Sequence, residues 1–319
     1  MDILGNVAGT RIWHGPLGHS LWLDGRLIPN AATALATADL AFTRGYAAFE
    51  ALRTYGKTPF LAERHFERLA GSCEILRLTM PTGIDQLCIG LDGLLAANQS
   101  ENCLIKVYIT GGVSSGFTPA GKEQLIMLTE PIKPFPEKQM LHGVNLASSS
   151  LSRSLPQAKS TDYLVGVRET ILAREKGHDE VIFVDRNGNI LEGTTFNIFT
   201  LKGRKLTTPS ADVLKGITAE HLLSLASTLG FEIIREAISR RDVADADEIF
   251  ITSTTREIMP VAAIDGEKAG ANQTWPGIRE LQDAFRASAF LSASAEAWQS
   301  RIGLAQARTG ETRPRSGAP

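Results

Sequence analysis

Glu192 is the residue of this sequence whose chemistry most needs an explanation. It stands in NGNILEGTTFNIFTL, residues 187–201, where a turn at residues 187–189 leads into an apolar run. A carboxylate buried in such a run is costly unless a cation or hydrogen-bond donors pair with it. The segment therefore predicts a partner for Glu192, which is either a structural cation or the cationic part of a bound group.

Three further polar clusters lie where strands are predicted to end or helices to begin. They are AKS around Lys159, LKGIT at 214–218 and TSTT at 252–255. The last two suit anion binding, because a turn at Gly216 would expose the next amides at a helix start, and threonines offer hydroxyls and amides. Taken singly, each cluster is more often an ordinary helix cap, a turn or an exposed lysine than a binding site.

One kind of chemistry uses all of these features together. In pyridoxal phosphate enzymes a carboxylate faces the protonated pyridine nitrogen, a lysine forms a Schiff base, and amides with an arginine hold the phosphate. Glu192, Lys159, the two amide-rich turns and Arg68 could supply these groups. The sequence has neither GxxxxGK[ST] nor GxGxxG after a strand, so the usual nucleotide-binding loops are not predicted.

The composition is typical of a globular protein with one large or two smaller domains. Of the 319 residues, 43% are hydrophobic and 21% are charged, which allows a sizeable core. The formal net charge is −2 and no long basic run occurs, so nucleic acid is not expected as a partner.

The cysteines and the apolar runs predict the compartment. Cys73, Cys88 and Cys103 form no CxxC pattern, and their odd number favours reduced thiols in the cytoplasm. The N-terminal MDILGNVAGTRIW has neither the basic leader nor the apolar region of a signal peptide. No apolar run reaches the roughly twenty residues that span a bilayer. We therefore expect a cytoplasmic protein without a membrane partner.

Apolar periodicity predicts mixed α and β structure without regular strand–helix alternation. Helical spacing begins at Glu63, recurs over 84–97 and 162–176, and follows Gly216. Strand-like segments surround these helices, among them CLIKVYITGG, DEVIFVD and DEIFITSTTREIMPV. The proline-rich and charged segment EPIKPFPEK, residues 130–138, indicates a linker between two halves.

We predict five segments from these patterns. They are an N-terminal arm (1–19), an N-terminal α/β domain (20–130), an interdomain linker (131–142), a C-terminal cofactor-binding domain (143–290) and a tail (291–319). The tail loses its apolar content, so a frayed helix and partial disorder are expected there.

Four motifs in this order resemble one family. FEALRTY with HFERL, then LEGTTFNIF, LKGIT and TSTTREIMPV are similar to the signatures of class IV (fold type IV) pyridoxal-phosphate aminotransferases. That family includes branched-chain aminotransferases, D-amino-acid transaminases, R-selective amine transaminases and aminodeoxychorismate lyases. The resemblance implies an α+β fold of two domains, with pyridoxal 5'-phosphate between the domains, and a homodimer.

The resemblance also assigns cofactor contacts residue by residue. Lys159 matches the lysine that forms the Schiff base and moves the Cα proton, Glu192 matches the partner of the pyridine nitrogen, and Arg68 matches the phosphate-binding arginine. The remaining matches are Leu214 against the ring, Ile217, Thr218 and Thr254 at the phosphate, and Tyr163 near the 3-oxygen. Tyr163 follows the lysine by four residues, one fewer than in branched-chain enzymes.

Four residues are expected near the substrate: Phe49, Lys106, Thr255 and Arg256. Thr255 and Arg256 occupy a turn similar to the one whose backbone meets the substrate carboxylate in branched-chain enzymes. Lys106 stands near an arginine of those enzymes, an exchange that is not neutral at a bidentate site. Arg256 is unusual in this turn. We hypothesise that it binds a substrate carboxylate or narrows the pocket, and the alternative is a side chain that points to solvent.

The motifs favour a transaminase that moves an amino group from a branched-chain L-amino acid to a 2-oxo acid. TSTTREIMPV is also similar to D-amino-acid transaminases, but the loop GGVSSGFTPAG lacks the Arg-x-His pair with which those enzymes bind the substrate carboxylate. AKSTDYLVGV is similar to a lyase-like variant. The alternatives are therefore an aminodeoxychorismate lyase-like enzyme, a D-amino-acid or R-selective amine transaminase that takes an amine donor, and a cofactor-free scaffold.

Overall fold

The computed structural model of the protein describes residues 20–29, 35–99, 101–292 and 294–310. The predicted N-terminal arm, residues 1–19, and the end of the predicted tail, residues 311–319, lie outside the described residues. The three cysteines are described, and all are buried and free of disulfides. Among the described residues, no helix combines the length and the apolar character that crossing a membrane requires.

The first half of the chain builds an antiparallel sheet. Its strands are β1 (Ser20–Leu23), β2 (Arg26–Pro29), β3 (Ala47–Tyr55), β4 (Thr58–Pro59), β5 (Cys103–Thr110) and β6 (Leu125–Pro131). The helices of this half are α1 (Leu40–Arg44), α2 (Ala62–Leu76) and α3 (Ile84–Asn98). The strand order is β2-β1-β6-β5-β3-β4. The alternation in HSLWLDGRLIP predicts a strand, a turn at Asp24-Gly25 and a second strand, and the antiparallel pairing of β1 with β2 confirms this prediction.

Strand β3 divides its side chains between a core and a cavity, because successive residues point to opposite faces of a sheet. Ala48 and Leu52 enter the core that the sheet forms with α2 and α3. Phe49 and Ala51 line a cavity on the other face. Helix α2 packs its apolar face, including Phe66, into the same core, so it lies against β3 in a fixed position.

The second half builds a larger mixed sheet. Its strands are β7 (Val144–Ser149), β8 (Glu180–Val184), β9 (Ile190–Gly193), β10 (Asn197–Lys202), β11 (Lys205–Thr208), β12 (Glu232–Arg235), β13 (Glu248–Ser253), β14 (Glu257–Ile264) and β15 (Glu267–Lys268). The order is β12-β11-β10-β13-β14-β7-β8-β9, with β15 beside β14. The helices are α5 (Leu164–Glu175), α6 (Ile217–Thr228), α7 (Arg240–Asp245) and α8 (Pro276–Ser292). Pairs such as β7–β8 are parallel and pairs such as β10–β13 antiparallel.

Two segments have a local structure that the sequence did not predict. The predicted linker contains a short helix, α4 (Glu137–His142), which begins after Pro136 and ends at Gly143. The predicted continuous run LEGTTFNIF is broken into β9 and β10 by a turn at residues 194–196. The segment boundaries at 130 and 142 stay predictions.

The helix expected in the tail is present as α9 (Ala295–Thr309), but the expected fraying is wrong for these residues, because the helix packs against the first core. The side chain of Ser294 caps its first turn. Trp298 and Ile302 are buried in the core of the first sheet, and the Trp298 Nε1 donates a hydrogen bond to Asp92 on α3 at 3.1 Å. These large side chains lie at helical spacing and pack against α3, and this packing stabilises α9.

We expect Trp298→Ala to lower the free energy of unfolding by about 3 kcal/mol, because it empties a buried site and removes a hydrogen bond. Leu304→Ala on the same helix is the matched control, since Leu304 is 53% exposed, and should change stability by less than about 0.5 kcal/mol. Urea titration followed by circular dichroism measures both. Equal effects of the two variants would show that α9 does not pack as described.

Candidate active site

Two adjoining cavities lie between the two sheets, and they gather the residues that the sequence singled out. The first is lined by all eight predicted cofactor contacts: Arg68, Lys159, Tyr163, Glu192, Leu214, Ile217, Thr218 and Thr254. The second, of about 520 Å³, is lined by all four predicted substrate contacts: Phe49, Lys106, Thr255 and Arg256. Lys159, Tyr163 and Thr254 line both cavities. The roles of these residues stay predictions.

Lys159 lies in the connection between β7 and α5, where backbone hydrogen bonds fix its position. Its amide donates to Ser72 Oγ at 3.0 Å, and its carbonyl accepts from the amide of Phe49 at 2.9 Å. The Nζ atom lies 4.4 Å from the centroid of the Phe49 ring. Burial, with a smaller effect of the nearby Arg68 guanidinium, lowers the pKa of Lys159 to about 8. At pH 7 roughly a tenth of the amine is therefore neutral, a far larger fraction than for an exposed lysine with a pKa of ~10.4.

Glu192, at the end of β9, has both carboxylate oxygens occupied. Oε1 accepts from Arg153 Nη1 at 3.0 Å, and Oε2 accepts from the amide of Leu214 at 3.0 Å. Burial raises the pKa of Glu192, and the Arg153 charge and the Leu214 amide oppose this rise. Within the described structure, the cation that Glu192 meets is therefore a structural one, Arg153.

Sequence reasoning missed Arg153. Its guanidinium also donates to the carbonyls of Pro156 and Ala158, so it ties the loop before Lys159 to Glu192. The one signal that could have found it is its place in the same polar loop as Lys159, six residues earlier. Loop sequences carry no periodicity that tells which side chains turn inward, so that signal is weak.

Arg68 is held by a fully buried carboxylate that the sequence reasoning also missed. Its Nε and Nη2 donate to the two oxygens of Glu50 at 2.7 and 2.9 Å, and His65 Nδ1 lies 2.8 Å from Glu50 Oε2. Burial alone would raise the pKa of Glu50, but Arg68 and His65 hold it well below its usual range. The remaining terminal nitrogen of Arg68, Nη1, donates a hydrogen bond to the carbonyl of Lys215 at 2.9 Å.

The start of α6 offers amides to the first cavity. Gly216 is the N-cap, and no side chain caps this helix, so the first amides of α6, from Ile217 onward, point toward the cavity end. A Cβ at Gly216 would lie 1.9 Å from Asn197 Oδ1, and Asn197 Nδ2 donates to the carbonyl of Leu214 at 2.8 Å. Close packing on Asn197 therefore requires glycine at the position that presents these amides.

The lining fits a phosphorylated pyridine cofactor. Its wall brings together the amides at the start of α6 and Arg68, which suit a phosphate, Glu192, which suits a ring nitrogen, and Lys159 with the apolar Leu214. Thr252 also lines this cavity, and its buried hydroxyl has no hydrogen-bond partner among the described residues. A buried polar atom without a partner is rare in a finished core and is typical of a surface that receives a ligand.

The turn between β13 and β14 separates the two cavities, and its position is fixed by side-chain contacts. Thr254 Oγ1 donates to the carbonyl of Ala51 on β3 at 3.0 Å. Arg256 does not point to solvent: it is 7% exposed, and it pairs with Glu180 on β8. Lys106, on the opposite side of the cavity, pairs with Glu130 at 2.8 Å.

Comparison with known proteins decides the family. A sequence model of the family described as amino-transferase class IV matches residues 47–264. The chain belongs to this family. It is 29% identical over 273 residues to a putative branched-chain-amino-acid aminotransferase of Methanocaldococcus jannaschii, covering 83% of this chain and 95% of the relative. It is also 29% identical over 275 residues to a D-alanine aminotransferase of Bacillus licheniformis, with 83% and 95% covered.

The crystal structure of the branched-chain amino acid aminotransferase of Escherichia coli has the same fold. It superposes with a TM-score of 0.81 at 28% identity, over 87% of this chain and 97% of that one. The predicted fold type IV architecture and the predicted aminotransferase class are therefore confirmed. This class IV family depends on pyridoxal 5'-phosphate, which agrees with the lining of the first cavity.

The lowered pKa of Lys159 can be measured on the cofactor-free protein. Because the neutral amine reacts with aldehydes, reductive methylation of Lys159 should rise with pH with a midpoint near 8, not near the ~10.4 of an exposed lysine. Peptide mass spectrometry quantifies the product. Arg68→Met, which removes a nearby positive charge, should move the midpoint upward. A wild-type midpoint near ~10.4 would contradict the enclosed position of Lys159.

Proposed function

We propose that the protein is a pyridoxal 5'-phosphate-dependent transaminase that takes branched-chain L-amino acids as donors and 2-oxo acids as acceptors. The observation that carries the proposal is the convergence, in one cavity, of a lysine of lowered pKa, a buried glutamate, and an arginine with the amides at the start of a helix. The name of the relative from Methanocaldococcus jannaschii supports this donor class.

In this proposal the chain's groups act at opposite ends of the cofactor. Arg68, Thr254 and the amides of Ile217 and Thr218 hold the phosphate, and Leu214 packs on the ring. When bound, pyridoxal 5'-phosphate supplies an electron-withdrawing ring that stabilises negative charge at the substrate Cα.

The remaining groups handle protons. Burial raises the pKa of Glu192, and the Arg153 charge and the Leu214 amide oppose this rise. As a carboxylate, Glu192 would accept a hydrogen bond from a protonated ring nitrogen. Lys159 lines both cavities, and it would carry the proton to and from the substrate Cα. Tyr163 lies beside Lys159 and packs edge-on against the Phe49 ring at 5.7 Å, where its hydroxyl could meet the 3-oxygen of the cofactor.

The second cavity favours an uncharged donor side chain. Its wall includes Phe49, Leu104, Tyr108 and Phe135. Of its three cationic side chains, Lys159 is assigned to the cofactor in this proposal, and Lys106 and Arg256 are each paired with a glutamate. No other free charge of the described wall therefore calls for an acidic side chain. The similarity to a D-alanine aminotransferase supports a second candidate, a D-amino-acid transaminase. The lyase-like and R-selective amine alternatives rest on sequence motifs alone.

The absorbance spectrum of cofactor-loaded protein tests the proposal. L-leucine alone should replace the band of the lysine-bound cofactor with that of pyridoxamine 5'-phosphate, and 2-oxoglutarate should restore it. Lys159→Ala, as control, should lack the first band from the start. Conversion by D-alanine but not by L-leucine would replace the proposal with the D-specific one. Pyruvate release from aminodeoxychorismate without an acceptor would point to the lyase.

We also propose that the protein is a homodimer and, from its sequence, cytoplasmic. Helix α5, which follows Lys159 closely, carries an exposed apolar stripe of Leu164, Val167 and Ile171, which are 78%, 56% and 53% exposed. Such a contiguous patch is typical of a surface that another protein covers. Because the stripe begins next to Tyr163, a second copy on it would lie beside the active site.

Light scattering after size exclusion should give twice the mass of one chain. Charging the stripe in the double variant Val167→Glu, Ile171→Glu should produce monomers, because burying two carboxylates at an interface is strongly unfavourable. Leu304→Glu, which charges an exposed apolar residue of α9 away from this stripe, is the matched control and should leave the dimer intact. A dimer that survives the double variant would place the interface elsewhere.

A further inference from the structure

Arg256 has its charge satisfied inside the protein. Its Nη2 forms an ion pair with Glu180, and its Nη1 donates to Thr195 Oγ1 at 3.0 Å. The guanidinium carbon lies 4.8 Å from the Phe135 ring centroid and 5.5 Å from that of Phe196. The side chain therefore lies between two rings, with its planar fork directed at β8 and at the turn after β9.

The neighbouring residues hold the same turn from the other side. Glu257, which follows Arg256, has a left-handed backbone with φ of 57°. Its carboxylate accepts from Arg53 Nη1 at 2.8 Å and from the hydroxyl of Tyr55 at 2.9 Å. The amide of Arg256 donates to Ser253 Oγ at 3.2 Å. The turn Ser253–Arg256 is thus fixed to β3 on one side and to β8 on the other.

These contacts argue against Arg256 as a direct ligand of a substrate carboxylate. A second carboxylate that bound two nitrogens of the guanidinium would compete with Glu180 for Nη2, and the charge of Glu180 would then stay largely buried without a partner. The buried Nε has no partner among the described residues, and with one hydrogen it could donate only a single bond. Removing one partner from a buried ion pair is strongly unfavourable. Backbone amides that bind an anion, in contrast, depend on a turn that is already held in the right geometry.

We propose that Arg256 and Glu180 form a clamp, here called the 256–180 clamp, that positions the turn Ser253–Arg256 for binding of the substrate carboxylate. The inference rests on the proposed function. Arg256 is a positioning residue: it acts through the turn, whose Thr254 and Thr255 line the substrate cavity. Glu180 is as necessary as Arg256, because an unpaired guanidinium would no longer be held between Phe135 and Phe196.

Binding of an unreactive carboxylate to the cofactor-loaded protein tests the clamp without turnover. 4-Methylvaleric acid carries the branched chain and a carboxylate but no amino group, and absorbance titration gives its dissociation constant. The clamp requires both Arg256→Met and Glu180→Gln to raise this constant by about tenfold, with Arg256→Lys in between. A direct ligand role requires the opposite for Glu180→Gln, because freeing Arg256 would leave the constant unchanged or lower it.

The uncharged amide of 4-methylvaleric acid separates positioning from general damage. Its dissociation constant should stay within about twofold in both variants, whereas a purely structural role would weaken acid and amide alike and overturn the proposal. Glu232→Gln, at an exposed glutamate of β12, should change neither constant. Wild-type protein that binds the acid but reacts with no amino acid would refute the proposed function and leave the clamp standing. Wild-type protein that does not bind the acid would overturn the clamp.

Discussion

The active site depends on pairing its buried glutamates with fixed cations. Burial raises the pKa of Glu192, and in the proposed function this residue would have to be a carboxylate to accept a hydrogen bond from a protonated ring nitrogen. Arg153 provides the opposing charge, and its further bonds to the carbonyls of Pro156 and Ala158 fix that charge in place. The same loop continues to Lys159. One guanidinium therefore sets the position of the loop that presents the lysine and stabilises the charge of the glutamate opposite it.

The same physical arrangement recurs around both cavities. Glu50 holds Arg68 through two hydrogen bonds, Glu180 holds Arg256, and Glu130 holds Lys106. A flexible cation loses much of its freedom when it is fixed in this way, so the entropy cost of ordering it is met during folding and not when a ligand binds. These charges are consequently oriented before any ligand arrives.

The two sheets meet through β3, which serves both halves of the chain. Its Ala48 and Leu52 are in the first core, while Phe49 packs near Lys159. At its far end Arg53 and Tyr55 bind Glu257 of the second sheet. A shift of β3 would therefore move Arg68, the substrate wall and the turn after β13 together, which couples the geometry of the two cavities to one strand.

The sequence by itself determined the class and most of the site. Apolar periodicity placed α2, α3 and α6. The resemblance of four motifs to one family, and not local spacing, named the residues that line the two cavities. Local spacing also predicted the strand–turn–strand at β1 and β2. Helices, strand pairs and motifs of this kind can be predicted because each depends on residues that are only a few positions apart in the sequence.

Only the tertiary structure decided the partners. The pairs Arg153–Glu192 and Arg256–Glu180 join residues 39 and 76 positions apart, and no local pattern tells which distant carboxylate an arginine will meet. The order of α9 likewise depends on α3, because a helix with few apolar residues is stable only when it packs against another element. Trp298 of α9 and Asp92 of α3, which form a hydrogen bond, are 206 positions apart. Local spacing decides the face of an element on which a side chain lies. The partner that this side chain meets comes from a segment far away in the sequence, and these long-range pairs determine the electrostatics of the site.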